Sequence, residues 1–249
     1  NSSAAEQVLP VLFETYTPST IIDVGCGLGN WIEVAKKISG AKITGVDGDY
    51  VNRNLLKINE NEFVEKDLTK PFDLNTKFDL AICLEVAEHL PETSANGFVK
   101  SLTNHSDVIM FSAAIPGQGG QNHINEQWPS YWQEHFNNCG FEMIDFFRFK
   151  IWNNTQIEYW YRQNLFLVVR KGHFLANNEN KMSYSLVHPE LLALVHEQHQ
   201  NKVLLLQSKI NKLKKRDIVG RVSKFLRNKK RQAKAAVEAE EIGRASCRE

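Results

Sequence analysis

With 249 residues, 42% of them hydrophobic, the chain suits one large domain, or a domain with an appendage, around a sizeable core. The formal charge of +1 excludes a uniformly basic or acidic polypeptide but hides a division. Residues 1–200 hold 15 Lys and Arg against 24 Asp and Glu, whereas residues 201–234 hold 13 against the single Asp217, so an acidic body precedes a basic tail. No apolar run is long enough to span a bilayer, and no signal peptide is visible.

Helix-like and strand-like stretches alternate along the body. Residues 4–15 read as a helix with Val8, Leu9, Leu12 and Phe13 inward, and a strand follows Pro18-Ser19-Thr20. Helix 31–38, strand 42–46, helix 50–56 and strand 62–64 come next, then strand 80–84, helix 92–102 and strand 108–113. This alternation predicts an α/β fold, a doubly wound and mostly parallel sheet covered by helices on both faces. Later the grammar changes. Residues 132–138 read as a helix, and residues 141–149 and 165–169 as strands around an aromatic segment, which suits a final antiparallel hairpin.

From Gly172 the composition shifts. Asn177-Asn178-Glu179-Asn180 reads as a linker, and Pro189 suits the first turn of a helix. Val203, Leu206, Ile210 and Leu213 recur at three- and four-residue spacing, too briefly to establish a coiled coil. The expected organisation is a domain over residues 1–172 and a linker with a helical basic tail over 173–240. Residues 241–249 read as an in-frame sequencing adapter and are set aside, and a start at Asn1 rather than Met is expected of a sequence missing an upstream part. Cys26, Cys83 and Cys139 lie far apart without metal-type pairing and read as reduced residues of a cytoplasmic protein.

The chemistry concentrates in Ile21-Ile22-Asp23-Val24-Gly25-Cys26-Gly27-Leu28-Gly29-Asn30-Trp31. An apolar run ends in an acid, and alternate glycines follow, as in a buried strand turning sharply into a helix. Such a turn lets a ligand approach the backbone and meet bare helix N–H groups. A dinucleotide fingerprint needs a sixth-position glycine, where Asn30 stands. Asp47 follows about 20 residues later, where an acid at a strand end grips ribose hydroxyls. Asp67 closes a third strand, and Glu85 and Val86 follow a fourth. Taken singly, the glycines also read as a structural turn, and Asp47 and Asp67 as helix caps.

Asp23-x-Gly25-x-Gly27-x-Gly29, with Asp47, Asp67 and Glu85 in order, resembles class I methyltransferases that use S-adenosylmethionine. The resemblance covers residues 4–171. It implies a Rossmann-like methyltransferase fold with S-adenosylmethionine as cofactor. It assigns the cofactor site to Asp23, Gly25, Cys26, Gly27, Asn30, Trp31, Asp47, Gly48, Asp67, Leu68, Glu85 and Val86. Asp67 would accept from the adenine amino group, Leu68 would donate its backbone N–H to the ring, and Glu85 and Val86 would line the methionine end. An NAD-binding oxidoreductase competes, because Asp47 serves either ligand. A cofactor-binding module without turnover is the other alternative.

Removing a proton from a hydroxyl acceptor suits histidine. His89 follows the fourth strand, and His123 lies in the glycine-rich loop Pro116-Gly117-Gln118-Gly119-Gly120-Gln121-Asn122-His123. Both are candidate catalytic residues, and both also read as structural. Asn125 and Glu126 either orient His123 or cap the next helix. Trp128, Tyr131 and Trp132, with Trp152, Tyr159, Trp160 and Tyr161, either cover a sugar-like substrate or pack the hairpin. His105, His123 and His135 show no recognisable metal spacing, so no metal is expected. The loop and Tyr161-Arg162-Gln163-Asn164 resemble bacterial methyltransferases of glycan modification, which implies a small-molecule acceptor such as a sugar. The basic stretch 209–234 suits phosphates of lipid or nucleic acid, and so a peripheral membrane contact or an RNA contact; docking on the acidic body is the other reading.

Overall fold

The computed structural model describes residues 2–177 and 185–246. The chain divides into two compact units, Asn1–Val195 and His196–Glu249. The first holds helix α1 (Ser2–Phe13), strand β1 (Thr20–Val24), helix α2 (Asn30–Ser39), and strands β2 (Lys42–Asp47), β3 (Phe63–Glu65) and β4 (Leu80–Leu84). Helix α3 (Ala95–His105), strand β5 (Val108–Ser112), helix α4 (Pro129–Asn138) and strand β6 (Phe141–Ile144) follow. Two short helices, α5 (Arg148–Ile151) and α6 (Tyr159–Asn164), then precede strand β7 (Phe166–Arg170).

Seven strands form one sheet in the order β3-β2-β1-β4-β5-β7-β6. Neighbours pair in parallel from β3 through β5. Strand β7 runs antiparallel to both β5 and β6. The expected sheet with its antiparallel finish is therefore present, and β7 enters between β5 and β6.

Strand side chains alternate between faces, which explains why these strands are apolar throughout. Ile21, Leu80, Met110 and Leu167 face one core with α1 and α2. Ile22, Ala81, Ile109 and Val168 face the other, with Phe98 and Val99 of α3 and Trp132 and Phe136 of α4. Helix α2 ends at Gly40, whose left-handed backbone (φ 71°) caps it by donating its N–H to the Lys36 carbonyl.

Three expected elements differ. The helix expected over 50–56 is only a 3-10 turn at Arg53–Leu55. There Asn52 accepts the Asn54 N–H with its side chain at 3.1 Å, a local bond that competes with helix. The strand expected over 141–149 stops at Ile144. Arg148 turns back to Asp145 through Nε (3.0 Å) and Nη2 (2.6 Å), and a fully buried pair three residues apart requires a turn. The helix expected over 92–102 starts as a 3-10 turn at Glu92–Ser94 and becomes α-helical from Ala95.

Beyond β7 the linker reading falls, from Asn178 to Asn180, outside the described residues, as do the last three residues of the stretch set aside at 241–249. Helix α7 (Pro189–Ser246) begins at the expected proline and continues through the second unit. Ile218, Val219, Val222, Phe225 and Leu226 are exposed there at a spacing that gathers them on one helix face. Among the described residues, no helix is long and apolar enough to cross a membrane.

Candidate functional site

The order of the sheet reverses between β1 and β4, so their following loops diverge and leave a crevice beyond the carboxyl ends. A cavity of about 600 Å³ opens there. Gly25, Asp47, Gly48, Asp67, Leu68, Glu85, Val86 and His89 line it, eight residues that the sequence nominated. Gly25 has φ 82°, and a Cβ on it would fall 2.3 Å from Val86 Cγ2. Only glycine allows this crossing of the two strand ends.

Asp47 ends β2 and is almost wholly buried. Its Oδ2 accepts the Gly27 N–H at 2.7 Å, and its Oδ1 accepts the Gly48 N–H at 2.7 Å. The Tyr50 hydroxyl also donates to Oδ1, although Tyr50 itself is 79% exposed. Asp23 lies buried on β1 behind this group. Burial, followed by the Asp47 charge, pushes its carboxyl up to about 8. Asp67 is held differently: Thr69 donates to it through N–H (3.0 Å) and hydroxyl (2.6 Å), and Lys70 pairs with it at 2.9 Å. These bonds, Thr69 first, hold its carboxyl down at about 2.

Glu85 closes the far end of the cavity. It adopts a left-handed backbone (φ 54°), which costs a non-glycine residue about 1–3 kcal/mol and persists only when neighbours enforce it. Those neighbours are visible. Its N–H donates to Ser112, and its carboxylate accepts from Gln118 Nε2 (3.0 Å) and Asn164 Nδ2 (3.2 Å). Gln163 donates to Asn164 Oδ1 at 2.9 Å and accepts the His188 N–H at 2.7 Å, which ties the network to the loop before α7.

Next to Glu85, the 3-10 turn Ala87–His89 meets the glycine-rich loop. The carbonyl of Glu88 accepts the N–H groups of Ile124 (2.9 Å) and Asn125 (3.0 Å). His89 and His123 meet edge to face, with ring centroids 4.8 Å apart. His123 Nδ1 lies 3.0 Å from Glu126 Oε1, and Glu126 also accepts the Gly117 and Gly119 N–H groups at 2.8 and 2.7 Å. Of the two sequence-level options, Glu126 therefore orients His123, while Asn125 accepts from Gln127.

The remaining nominated residues sit off the cavity wall. Cys26, Gly27 and Asn30 belong to the turn and the first residue of α2, and Trp31 is buried against Tyr161 at 5.0 Å. The Cys26 thiol is pushed up by burial and by the Asp23 and Asp47 charges. Trp132 packs in the core against Phe111 at 5.5 Å, so it does not cover a substrate. Trp128 is 39% exposed. Sequence reasoning missed Tyr50, Gln118, Asn164 and Glu88 as members of the site. Glu85-Val86-Ala87-Glu88-His89 carried a signal for Glu88, because a carboxyl next to a nominated histidine was already in view.

A family model described as "Methyltransferase domain" matches residues 2–148. The chain belongs to that family. The matched residues run from α1 to the first residue of α5, so they include the whole cavity edge and both histidines. A stretch of the chain is also similar to the ribosomal RNA large subunit methyltransferase E of Methanococcoides burtonii, at 48% identity over 50 residues. That match spans 20% of this chain and only 17% of that protein. Among solved structures, the sugar N-methyltransferase KedS8 from Streptoalloteichus sp. ATCC 53650 is similar with a TM-score of 0.52 at 15% identity, over 68% of this chain and 87% of that one. Magnesium protoporphyrin IX methyltransferase from Synechocystis PCC 6803, solved with bound SAM, gives a TM-score of 0.50 at 18% identity over 68% and 79%. At such identities the likeness is one of fold.

Proposed function

We propose that this methyltransferase domain transfers the methyl group of S-adenosylmethionine to a hydroxyl oxygen of a sugar or another small metabolite, in the manner of the bacterial methyltransferases of glycan modification that its sequence resembles. The observation that carries this reading is the cavity at the β1–β4 switch point, with a strand-end carboxylate on one side and a strained, fixed Glu85 on the other. The residues present fit an adenosyl cofactor. A Cβ at Gly25 would collide with Val86, so that turn is kept bare where a ligand must pass close.

S-adenosylmethionine, when bound, supplies an electrophilic methyl group on a sulfonium. Asp47 accepts from ribose hydroxyls once the Tyr50 hydroxyl gives way. Asp67 and Leu68 hold the adenine, and Glu85 and Val86 hold the methionine end. Asp23, Cys26, Gly27, Asn30, Trp31 and Gly48 shape the turn around it. His89 lines the cavity and His123, aligned by Glu126, packs against it, and on this reading the pair assists loss of the acceptor's proton. Lining up donor and acceptor carries much of the acceleration.

Calorimetry with S-adenosylmethionine tests the cofactor, with NAD as the competing ligand. Saturable binding is expected, weakened about tenfold or more in Asp47→Ala. No binding at millimolar concentration overturns the reading. Incubation with methyl-labelled cofactor and a panel of sugars tests the acceptor. Binding without transfer across the panel favours a module without turnover.

The basic helix makes a second contribution. Beside the apolar face of Ile218, Val219, Val222, Phe225 and Leu226 stand Lys224, Arg227, Lys230 and Arg231. Such a pattern favours a peripheral contact with an anionic membrane, the protein otherwise remaining in the cytoplasm. Co-sedimentation of the full chain with phosphatidylserine vesicles, lost in high salt, is expected. Equal retention by RNA alone overturns the lipid assignment.

A further inference from the structure

We infer that Glu88, His89 and His123 form a binding site for a divalent transition-metal cation at the acceptor end of the cavity. In its purpose the site rests on the methyl-transfer reading, but its evidence does not. One potential ligand atom from each of the three residues lies within 4.8 Å of the other two. A carboxylate with two imidazoles is a donor set that divalent first-row metals take up.

Two independent observations point to a ligand. The first is Glu88. Its side chain is completely buried, and neither carboxylate oxygen meets a donor at full hydrogen-bond geometry, the backbone at Glu88 and Ala114 and the Glu85 carboxyl satisfying it only in part. A buried carboxylate left in this state is costly, and a cation would satisfy it. The second is the fixed tautomer of both rings. His123 Nδ1 faces the carboxylate of Glu126 at 3.0 Å, and His89 Nδ1 faces the backbone carbonyl of Asn122 at 3.3 Å. Both partners can only accept, so each neutral ring carries its proton on Nδ1 and leaves the Nε2 lone pair for a ligand. Holding Nδ1–H with a carboxylate or carbonyl is how proteins prepare a metal-ligating histidine.

The loop and the turn are joined where this requires it. The Glu88 carbonyl receives the Ile124 and Asn125 N–H groups, so His123 is tied to the segment that carries the other two ligands. His89 also lines the cavity, which puts the site within reach of an acceptor. Held there, a cation would lower the cost of an oxygen acceptor as its anion, the displaced proton passing to solvent, and the two imidazoles would serve as ligands in place of bases.

Titration of the full chain with Mn²⁺ alone, followed by loss of the free-ion electron paramagnetic resonance signal, tests this. About one Mn²⁺ per chain is expected, with nitrogen modulation from bound imidazole in the pulsed spectrum. His89→Ala and His123→Ala should each weaken binding at least tenfold, as should Glu88→Gln, which keeps the volume. Glu126→Gln, which removes no ligand but alters the partner of His123 and of the Gly117 and Gly119 N–H groups, should weaken it about tenfold to a hundredfold. No binding at millimolar Mn²⁺, or bound Mn²⁺ without nitrogen modulation, overturns the proposal even if a variant fails to fold. Calorimetry with S-adenosylmethionine separates the two readings: cofactor binding without Mn²⁺ sinks only the metal site, and Mn²⁺ binding without cofactor sinks only the methyl-transfer reading.

Discussion

The Tyr50 hydroxyl donates to Oδ1 of Asp47, which lines the cavity from the end of β2. Asp47 is buried and fixed by two backbone N–H groups, whereas Tyr50 is 79% exposed and free to swing on its own bonds. On the proposed reading, a phenol O–H occupies here the acceptor that a ribose hydroxyl would use. Tyr50→Phe should therefore tighten S-adenosylmethionine binding by about threefold to tenfold, the range expected for the net worth of one ordinary hydrogen bond. Calorimetry on the two proteins checks this, and unchanged or weaker binding gives Tyr50 a different role.

Gly25→Ala should lower stability by about 1–3 kcal/mol, because an L side chain at φ 82° is strained. The new Cβ would also press on Val86 at the cavity edge. Urea denaturation gives the stability, and cofactor calorimetry the loss of binding. A variant with wild-type values in both would show that the turn relaxes freely.

Asp23 makes stability depend on pH in an unusual direction. Its folded value of about 8 stands above the unfolded 3.8, so the folded state holds a proton that the unfolded state has released. Its contribution is therefore complete at low pH and is lost as pH rises through this interval toward 8. Denaturation midpoints of the wild type should fall from pH 5 to pH 8.5 relative to those of Asp23→Asn, which cannot ionise. Parallel curves for the two proteins would contradict the assignment.

Arg148 and Asp145 form a pair with no exposed side-chain surface, and the guanidinium also lies 4.3 Å from the centre of the Phe166 ring. Removing one partner leaves a buried charge alone, at a cost of about 3–5 kcal/mol. Arg148→Met should destabilise by that order in urea denaturation, and Asp145→Asn combined with it should recover part of the loss.

The elements at the β1 end of the sheet were legible because each is specified locally. A run such as Ile21-Ile22-Asp23-Val24, short, β-branched and closed by glycines, favours a strand with both faces covered, and the glycines after it favour a turn. The resemblance carried by those residues therefore placed Gly25, Asp47, Glu85 and Val86, and the fold brings them to one cavity. Trp132 shows the limit. Its neighbours in sequence suggested a substrate wall, but on α4 its burial depends on Phe111 of the distant strand β5.

Local chemistry by itself thus determined most of the order of strands and helices, the bare turn and the acids at the strand ends, because backbone preference and side-chain alternation act over a few residues. Tertiary structure alone decided which distant groups meet. Asn164 reaches Glu85 across 79 positions, Tyr50 folds back onto Asp47, and Glu88 is sealed beneath a loop that carries His123. Such meetings follow from how the sheet turns its edges together, and no short-range preference records them.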